Sequence, residues 1–242
     1  MRNVFVVSSP CLASGRSSSL MKSSWMGARF RTGVPTSCLT SVASPTMSMS
    51  DIWYETVSPG ERLTQGDIIF DCPLVSWSST PIQITGSGSE VEALKQGRVA
   101  FQADVIVMTQ ACDLEQEKVR NAVACPHLSL SDYQAAWEAF LRQRNQNPTA
   151  KAWRTHCSDI KDGYAWNLSI LNRSSVTGLE FEHRIVDFHE VFTLPREFLE
   201  SLLAARGRER PRLLSPYREH LSQAFARYFM RVGLPVPVDV AW

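Results

Sequence analysis

The sequence predicts an α+β domain, and three observations carry that prediction. Val105-Ile-Val-Met108 is an unbroken apolar run rich in β-branched residues, the pattern of a buried strand. Tyr164–Leu171 and Phe181–Phe188 alternate, so each presents one buried face as a strand does. Tyr217, Leu221, Ala224, Phe225, Tyr228, Phe229 and Val232 recur at helical spacing. Together they describe a small β-barrel-like bent sheet with a helical insertion and a C-terminal helical pair.

The elements follow in order. Leu63-Thr-Gln-Gly-Asp-Ile-Ile-Phe70 is a turn feeding a strand that ends near Cys72-Pro73. Pro81-Ile-Gln-Ile-Thr85 alternates and predicts a half-exposed strand, and Gly86-Ser-Gly-Ser89 is a loop. Gly97–Met108 is the long central strand, with a break expected near Asp104. Leu114–Arg120 is charged and reads as a loop or a single turn. Asn121-Ala-Val-Ala-Cys125 is a short strand that Pro126 should end. Ser131 is placed to cap a helix carrying Tyr133, Trp137, Phe140 and Leu141 on one face. Asn147-Pro148 should start a second helix with Asn as cap, carrying Trp153, His156 and Cys157 and stopped by Gly163. Residues 128–162 thus form a helical insertion within one sheet system. Pro195 opens a helix with Phe198, Leu199, Leu202 and Leu203 inward and Gly207 as its stop. Ser215-Pro216 opens the last helix, where Arg227 and Arg231 suit the dipole and Gly233-Leu-Pro235 marks the end. Its aromatic face is most simply core packing.

Composition narrows the function classes. The chain has 242 residues, with 25 Lys and Arg against 24 Asp and Glu, a net charge of +1. The first fifty residues hold five of the basic side chains (Arg2, Arg16, Lys22, Arg29 and Arg31) and no acidic one, which leaves −4 on the remainder. Near-neutral charge gives no global pull toward nucleic acid or an anionic membrane. No stretch approaches the ~18 apolar residues of a membrane span, so no membrane partner is expected. Residues 1–50 are Ser- and Thr-rich without periodicity, and bury too little apolar surface to offset ordering entropy. A transit peptide shares that composition, whereas Val4-Phe-Val-Val7 is too short for a secretory signal. The favoured expectation is a disordered tail or a start assigned too early, because Met47 and Met49 sit just before Asp51-Ile-Trp-Tyr54, where globular patterning begins. Residues 51–242 then form a single domain. Cys72, Cys112, Cys125 and Cys157 are unevenly spaced, which points to free, mostly buried thiols in a reducing cytoplasm.

Three segments carry a resemblance. Gln65-Gly-Asp-Ile68, Val105-Ile-Val-Met-Thr-Gln-Ala-Cys-Asp-Leu114, and Leu213-Leu-Ser-Pro-Tyr-Arg-Glu-His-Leu221 followed by Arg231-Val-Gly-Leu-Pro235 resemble an uncharacterised bacterial protein family over most of residues 51–235. That resemblance implies no activity. A fainter one is to the MazF/PemK-type toxin barrel: Gly66-Asp67-Ile68 matches its strand start, and Thr109 loosely matches the small polar residue ending its next hydrophobic strand. Gln102-Ala103-Asp104 stands where the toxin has Arg-Pro, a departure that weighs against the toxin's RNA-cleaving machinery. A shared barrel would not transfer function in any case.

Three candidate chemistries remain. Cys112 with Asp113 lies where the central strand stops, a position suited to a nucleophile, although Asp113, Glu115 and Glu117 oppose a thiolate. The Cys-x5-Arg phosphate loop is absent, since Lys118 holds the sixth position. Cys112, Asp113, Cys125, His127, His156 and Cys157 are suitable metal ligands without Cys-x2-Cys spacing, so no metal site and no cofactor is assigned. Arg206, Arg208, Arg210, Arg212 and Arg218 cluster about the expected joint of the last two helices, where they suit phosphates and Tyr217 suits a base. Gly86-Ser-Gly-Ser89 lacks the Lys-Ser/Thr of a P-loop, and no Gly-x-Ser-x-Gly anchors a serine triad. The leading expectation is a module binding RNA, DNA or a protein partner in a toxin-like or defence setting. The alternatives are a Cys112 enzyme and a metal-binding protein.

Overall fold

The computed structural model describes residues 52–78, 86 and 88–230. The elements run β1 (Tyr54–Val57), β2 (Ile68–Trp77), α1 (Glu90–Gln96), β3 (Arg98–Val107), α2 (Ala111–Glu115), β4 (Asn121–Ser129), α3 (Leu130–Gln143), α4 (Ala150–Lys161), β5 (Leu168–Leu171), β6 (Arg184–Asp187), β7 (Phe192–Pro195), α5 (Arg196–Arg206), β8 (Arg210–Leu213) and α6 (Tyr217–Phe229). The expected α+β class is what the chain shows. A six-stranded sheet has the order β2-β3-β4-β6-β5, with β7 also on β4, and β1 pairs β8 in a second, two-stranded sheet. Every pairing is antiparallel. A bridge between Asp67 and Arg212 joins the start of β2 to β8. Strand pairing leaves the large sheet open, with β2 and β5 at its edges. Among the described residues, no helix is long and apolar enough to cross a membrane.

The apolar periodicities become three cores. Leu74, Val105, Val107, Ala122, Leu199 and Leu203 pack where α5 covers one side of the sheet. Ile68, Ile106, Cys125, Leu171, Val186, Leu213 and Leu221 pack beneath α6, and Tyr217, Ala224, Phe225 and Tyr228 complete that layer. The aromatic stripe of α6 is therefore core packing for most of its length. Tyr133, Trp137 and Ile160 join α3 and α4 to Leu168 and Ile185.

Several expectations are corrected. The strand does not stop at Pro126: β4 continues to Ser129. Pro126 sits where β4 exchanges β7, which pairs residues 121–124, for β6, which pairs residues 127–129, so the missing N–H interrupts neither ladder. β3 is unbroken at Asp104; the irregularity lies opposite, between Ile69 and Cys72 of β2. β2 also runs on through Pro73 to Trp77, which an edge strand permits. Ser129, not Ser131, caps α3 by accepting from the Asp132 N–H at 3.0 Å. Thr149, not Asn147, caps α4 by accepting from Ala152 N–H at 3.1 Å. The last two helices are not a simple pair, because β8 intervenes. The strand expected at Pro81–Thr85, the stop at Gly233 and residues 1–50 lie outside the described residues.

The described parts of the three segments singled out in the sequence converge on one place, and Arg231–Pro235 lies outside the described residues. Gly66, at φ +85°, brings its backbone so close to β8 that an added Cβ would stand 3.1 Å from the Leu213 carbonyl oxygen. Its N–H donates to Val107 and its carbonyl accepts from Leu213 N–H, both at 2.9 Å. The Gln65 amide donates to the Met108 carbonyl and to Ser222 Oγ on α6. Asp67 is fully buried and receives Arg210 Nε at 2.9 Å and Arg212 Nε at 2.5 Å. Thr109 Oγ1 accepts from Val123 N–H at 2.6 Å, which closes the end of β3 against β4. These segments are a structural hub.

Candidate binding cleft

The residues expected to carry chemistry are dispersed. Arg210 is almost wholly buried, and besides Asp67 it donates to the carbonyls of Ser58, Glu61 and Arg62. Arg212 is spent on Asp67 and the Arg62 carbonyl, with Glu55 and Glu61 nearby. Arg206 closes the β2 bulge by donating to the Phe70 and Asp71 carbonyls, each at 2.6 Å. Arg218 chelates Glu219. Arg208 alone of the five is exposed without an ion pair among the described residues. The cluster in the sequence is thus largely internal bracing.

Cys112 and Asp113 lie on α2, a helix of five residues at the rim of the sheet. The Cys112 thiol is exposed and stands 3.8 Å from both Gln110 Oε1 and Asp113 Oδ1. Three imidazoles are engaged with other partners. His127 accepts from Arg184 Nε at 2.7 Å, His156 meets the Tyr133 hydroxyl at 2.9 Å, and His189 meets Asp187 at 3.0 Å. Burial pushes the Cys72 thiol up to about 11 and the Cys125 thiol up to about 12, and it raises Cys157 as well. Among the described residues no three His, Cys, Asp or Glu side chains converge as a metal site would require.

A buried polar network crosses the sheet instead. Arg184 on β6 pairs with Asp104 on β3 and lies over the Phe70 ring, 5.2 Å from its centroid. His127, only 2 % exposed, takes the Arg184 proton donor on Nδ1, so its own proton sits on Nε2. Burial holds this imidazole well below its ordinary titration range, and the Arg184 charge adds to the effect. The network ties β3, β4 and β6 together, and it leaves the His127 Nε2 buried without a hydrogen-bond partner.

The open feature lies on the other side of β5. A cleft of about 300 Å³ separates α6 from β5 and the end of α4. One wall is the α6 stripe Tyr217, His220, Leu221, Ala224 and Arg227, which the helical repeat places on a single face. The opposite wall is Lys161, Gly163 and Trp166, and β5 forms the floor. Trp53 closes one end by stacking on Tyr217 with ring centroids 4.0 Å apart and planes 11° from parallel. Gly163, at φ +77°, ends α4, and the Arg227 guanidinium comes within 3.5 Å of where its Cβ would be. A side chain at Gly163 would meet the cation that overhangs the cleft.

The charge of this cleft is one-sided. Lys161, His220 and Arg227 line it, and among the described residues no carboxylate does. Lys161 has Asp162 at 3.5 Å, both exposed, a weak pairing in water. His220 and Arg227 have no side-chain ion pair among the described residues. A basic cleft on a portion of chain carrying −4 is an electrostatic feature that mean charge conceals. Sequence reading placed Tyr217 in a nucleic-acid patch and Arg227 at a helix dipole. It gave no sign that they share a cleft with Trp53 and Lys161, which come from distant parts of the chain.

The family comparison adds no identity: no protein-family model matches the chain, and no curated protein is significantly similar to it.

Proposed function

We propose that this chain is a binding module for a protein partner, and that the cleft between β5 and α6 is its recognition site. The observation that carries the reading is Arg227, with Lys161 across the cleft from it, around an aromatic and aliphatic interior whose described lining holds no carboxylate. Small, mostly apolar clefts with a few directed polar groups are where proteins take ligands. The cations select negative charge on what enters. A second reading, a single strand of nucleic acid, is favoured by the Trp53–Tyr217 stack at the cleft end, because aromatic faces accept bases without regard to sequence. The alternative of a Cys112 enzyme draws no support from an imidazole, since no hydrogen bond joins the thiol to a histidine among the described residues.

The test uses two anionic probes, poly-L-glutamate and a short oligo(dT), titrated at low and high salt. The double variant Lys161→Glu with Arg227→Glu is expected to weaken binding of the responsive probe by about tenfold or more and to flatten its salt dependence. Arg208→Glu, outside the cleft, is the control and should leave binding unchanged. If neither probe distinguishes the double variant from the original protein, the cleft is not the site.

A further inference from the structure

The geometry points to a specific mode of recognition in this cleft: an acidic, extended peptide segment adds to β5 as a new edge strand. The inference rests on the cleft being the binding site. β5 is the last strand of the large sheet and, among the described residues, is paired on one side only, with β6. Antiparallel strands alternate between residues that bond the partner strand and residues that turn away from it. Phe188 N–H donates to the Asn167 carbonyl at 2.8 Å, which fixes the phase of that alternation. Asn167, Ser169 and Leu171 therefore face β6, and Leu168, Ile170 and Asn172 turn their backbone groups outward. The other side of β6 agrees. Leu130 N–H bonds the His183 carbonyl at 2.7 Å, so the odd-numbered residues of β6 face β4 and the even-numbered ones face β5.

The outward groups are only partly used. The Tyr54 hydroxyl donates to the Asn172 carbonyl at 2.7 Å, which shows that this edge faces β1 and Trp53. Leu168 N–H is closed by the Ala165 carbonyl at 3.0 Å. Ile170 N–H and carbonyl, and the Leu168 carbonyl, belong to the strand edge that floors the cleft. One residue of an incoming strand meets both groups of Ile170 in a single antiparallel rung. Its alternate side chains then face the apolar interior or the basic rim. Nucleic acid has no main-chain amides to match this edge, so the rung favours peptide. The rim cations choose carboxylates.

Three peptides and a nucleic acid decide the matter, each titrated by fluorescence anisotropy with the full chain. The first is a short alternating Glu-Val peptide. The second is its Lys-Val counterpart. The third is the Glu-Val peptide N-methylated at alternate residues, which keeps charge and side chains and removes the amides needed for pairing. The fourth probe is oligo(dT). The Glu-Val peptide is expected to bind at least about tenfold tighter than the Lys-Val and N-methylated forms, and Arg227→Glu should abolish the charge preference. Hydrogen exchange at Ile170 should slow when it binds. Equal binding of the methylated peptide, with charge dependence intact, overturns strand addition while the cleft stands as a site. Tight oligo(dT) binding lost in Arg227→Glu, without peptide binding, assigns the cleft to nucleic acid and overturns the inference. If no probe senses Arg227→Glu, the cleft reading fails with it.

Discussion

A single carboxylate, Asp67, holds two guanidinium groups in the interior, and its loss would strand both. Removing one partner of a buried ion pair costs about 3–5 kcal/mol, because the remaining charge has no solvent. Asp67→Ala is expected to lower the urea midpoint accordingly, and a parallel series at Arg208 should stay within about 0.5 kcal/mol. The contrast separates bracing arginines from the exposed one. His127 makes a different prediction. Its folded imidazole takes a proton only well below the ordinary value of 6.5, while the unfolded chain takes one near that value. Below pH 6.5 the unfolded form therefore binds more protons, so stability is intact above that pH and is lost as the pH falls. The slope from this residue is up to about 1.4 kcal/mol per pH unit. Urea midpoints at pH 7 and pH 5 should show the fall, and His127→Gln should reduce it. At this scale the sequence disclosed the turn at Gly66-Asp67 but not its purpose. Arg210 lies 143 positions away from Asp67, and nothing local announces the pairing.

Elements with strong periodicity were legible, and those built by distant partners were not. The α6 stripe, the Gly207 stop and the β3 run all follow from spacing and local backbone preference. β8 is Arg210-Pro-Arg-Leu213, a segment whose charge and proline read as a loop. It is a strand because Asp67 neutralises its two arginines and β1 takes its edge. The helix starts were misplaced by two residues because several Ser, Thr and Asn side chains compete for one cap, and only packing chooses among them. Ser129→Ala is expected to cost about 1 kcal/mol and Ser131→Ala less, since Ser129 Oγ both accepts from Asp132 N–H and donates to the Asp132 carboxylate. Leu221, buried where α6 meets the sheet, should cost about 2–5 kcal/mol on truncation to Ala, read as a lowered thermal midpoint.

For the whole molecule, the sequence reading reached the α+β class, while strand pairing leaves the sheet open rather than closed as a barrel, and of the cleft it singled out only Tyr217 as a binding residue. A cleft is a relation between surfaces. Trp53, Lys161 and Arg227 become neighbours only after the sheet has formed and α6 has packed on it, so no spacing rule links them. Charge bookkeeping is blind for the same reason: it counts arginines without knowing which, like Arg210 and Arg212, are already satisfied inside.

The pairing of β1 with β8 has a consequence for how the chain is made. β1, the first strand among the described residues, waits for a mate that emerges some 150 residues later, as Val57 meets Arg210. Until then Tyr54 and Ile68 have no lid, and the nascent sheet is exposed to misassembly. A chain halted at Gly207 should collapse without a cooperative unfolding transition, while one continuing through α6 should show it. Such long-range closure also implies leisurely refolding for a protein of this size.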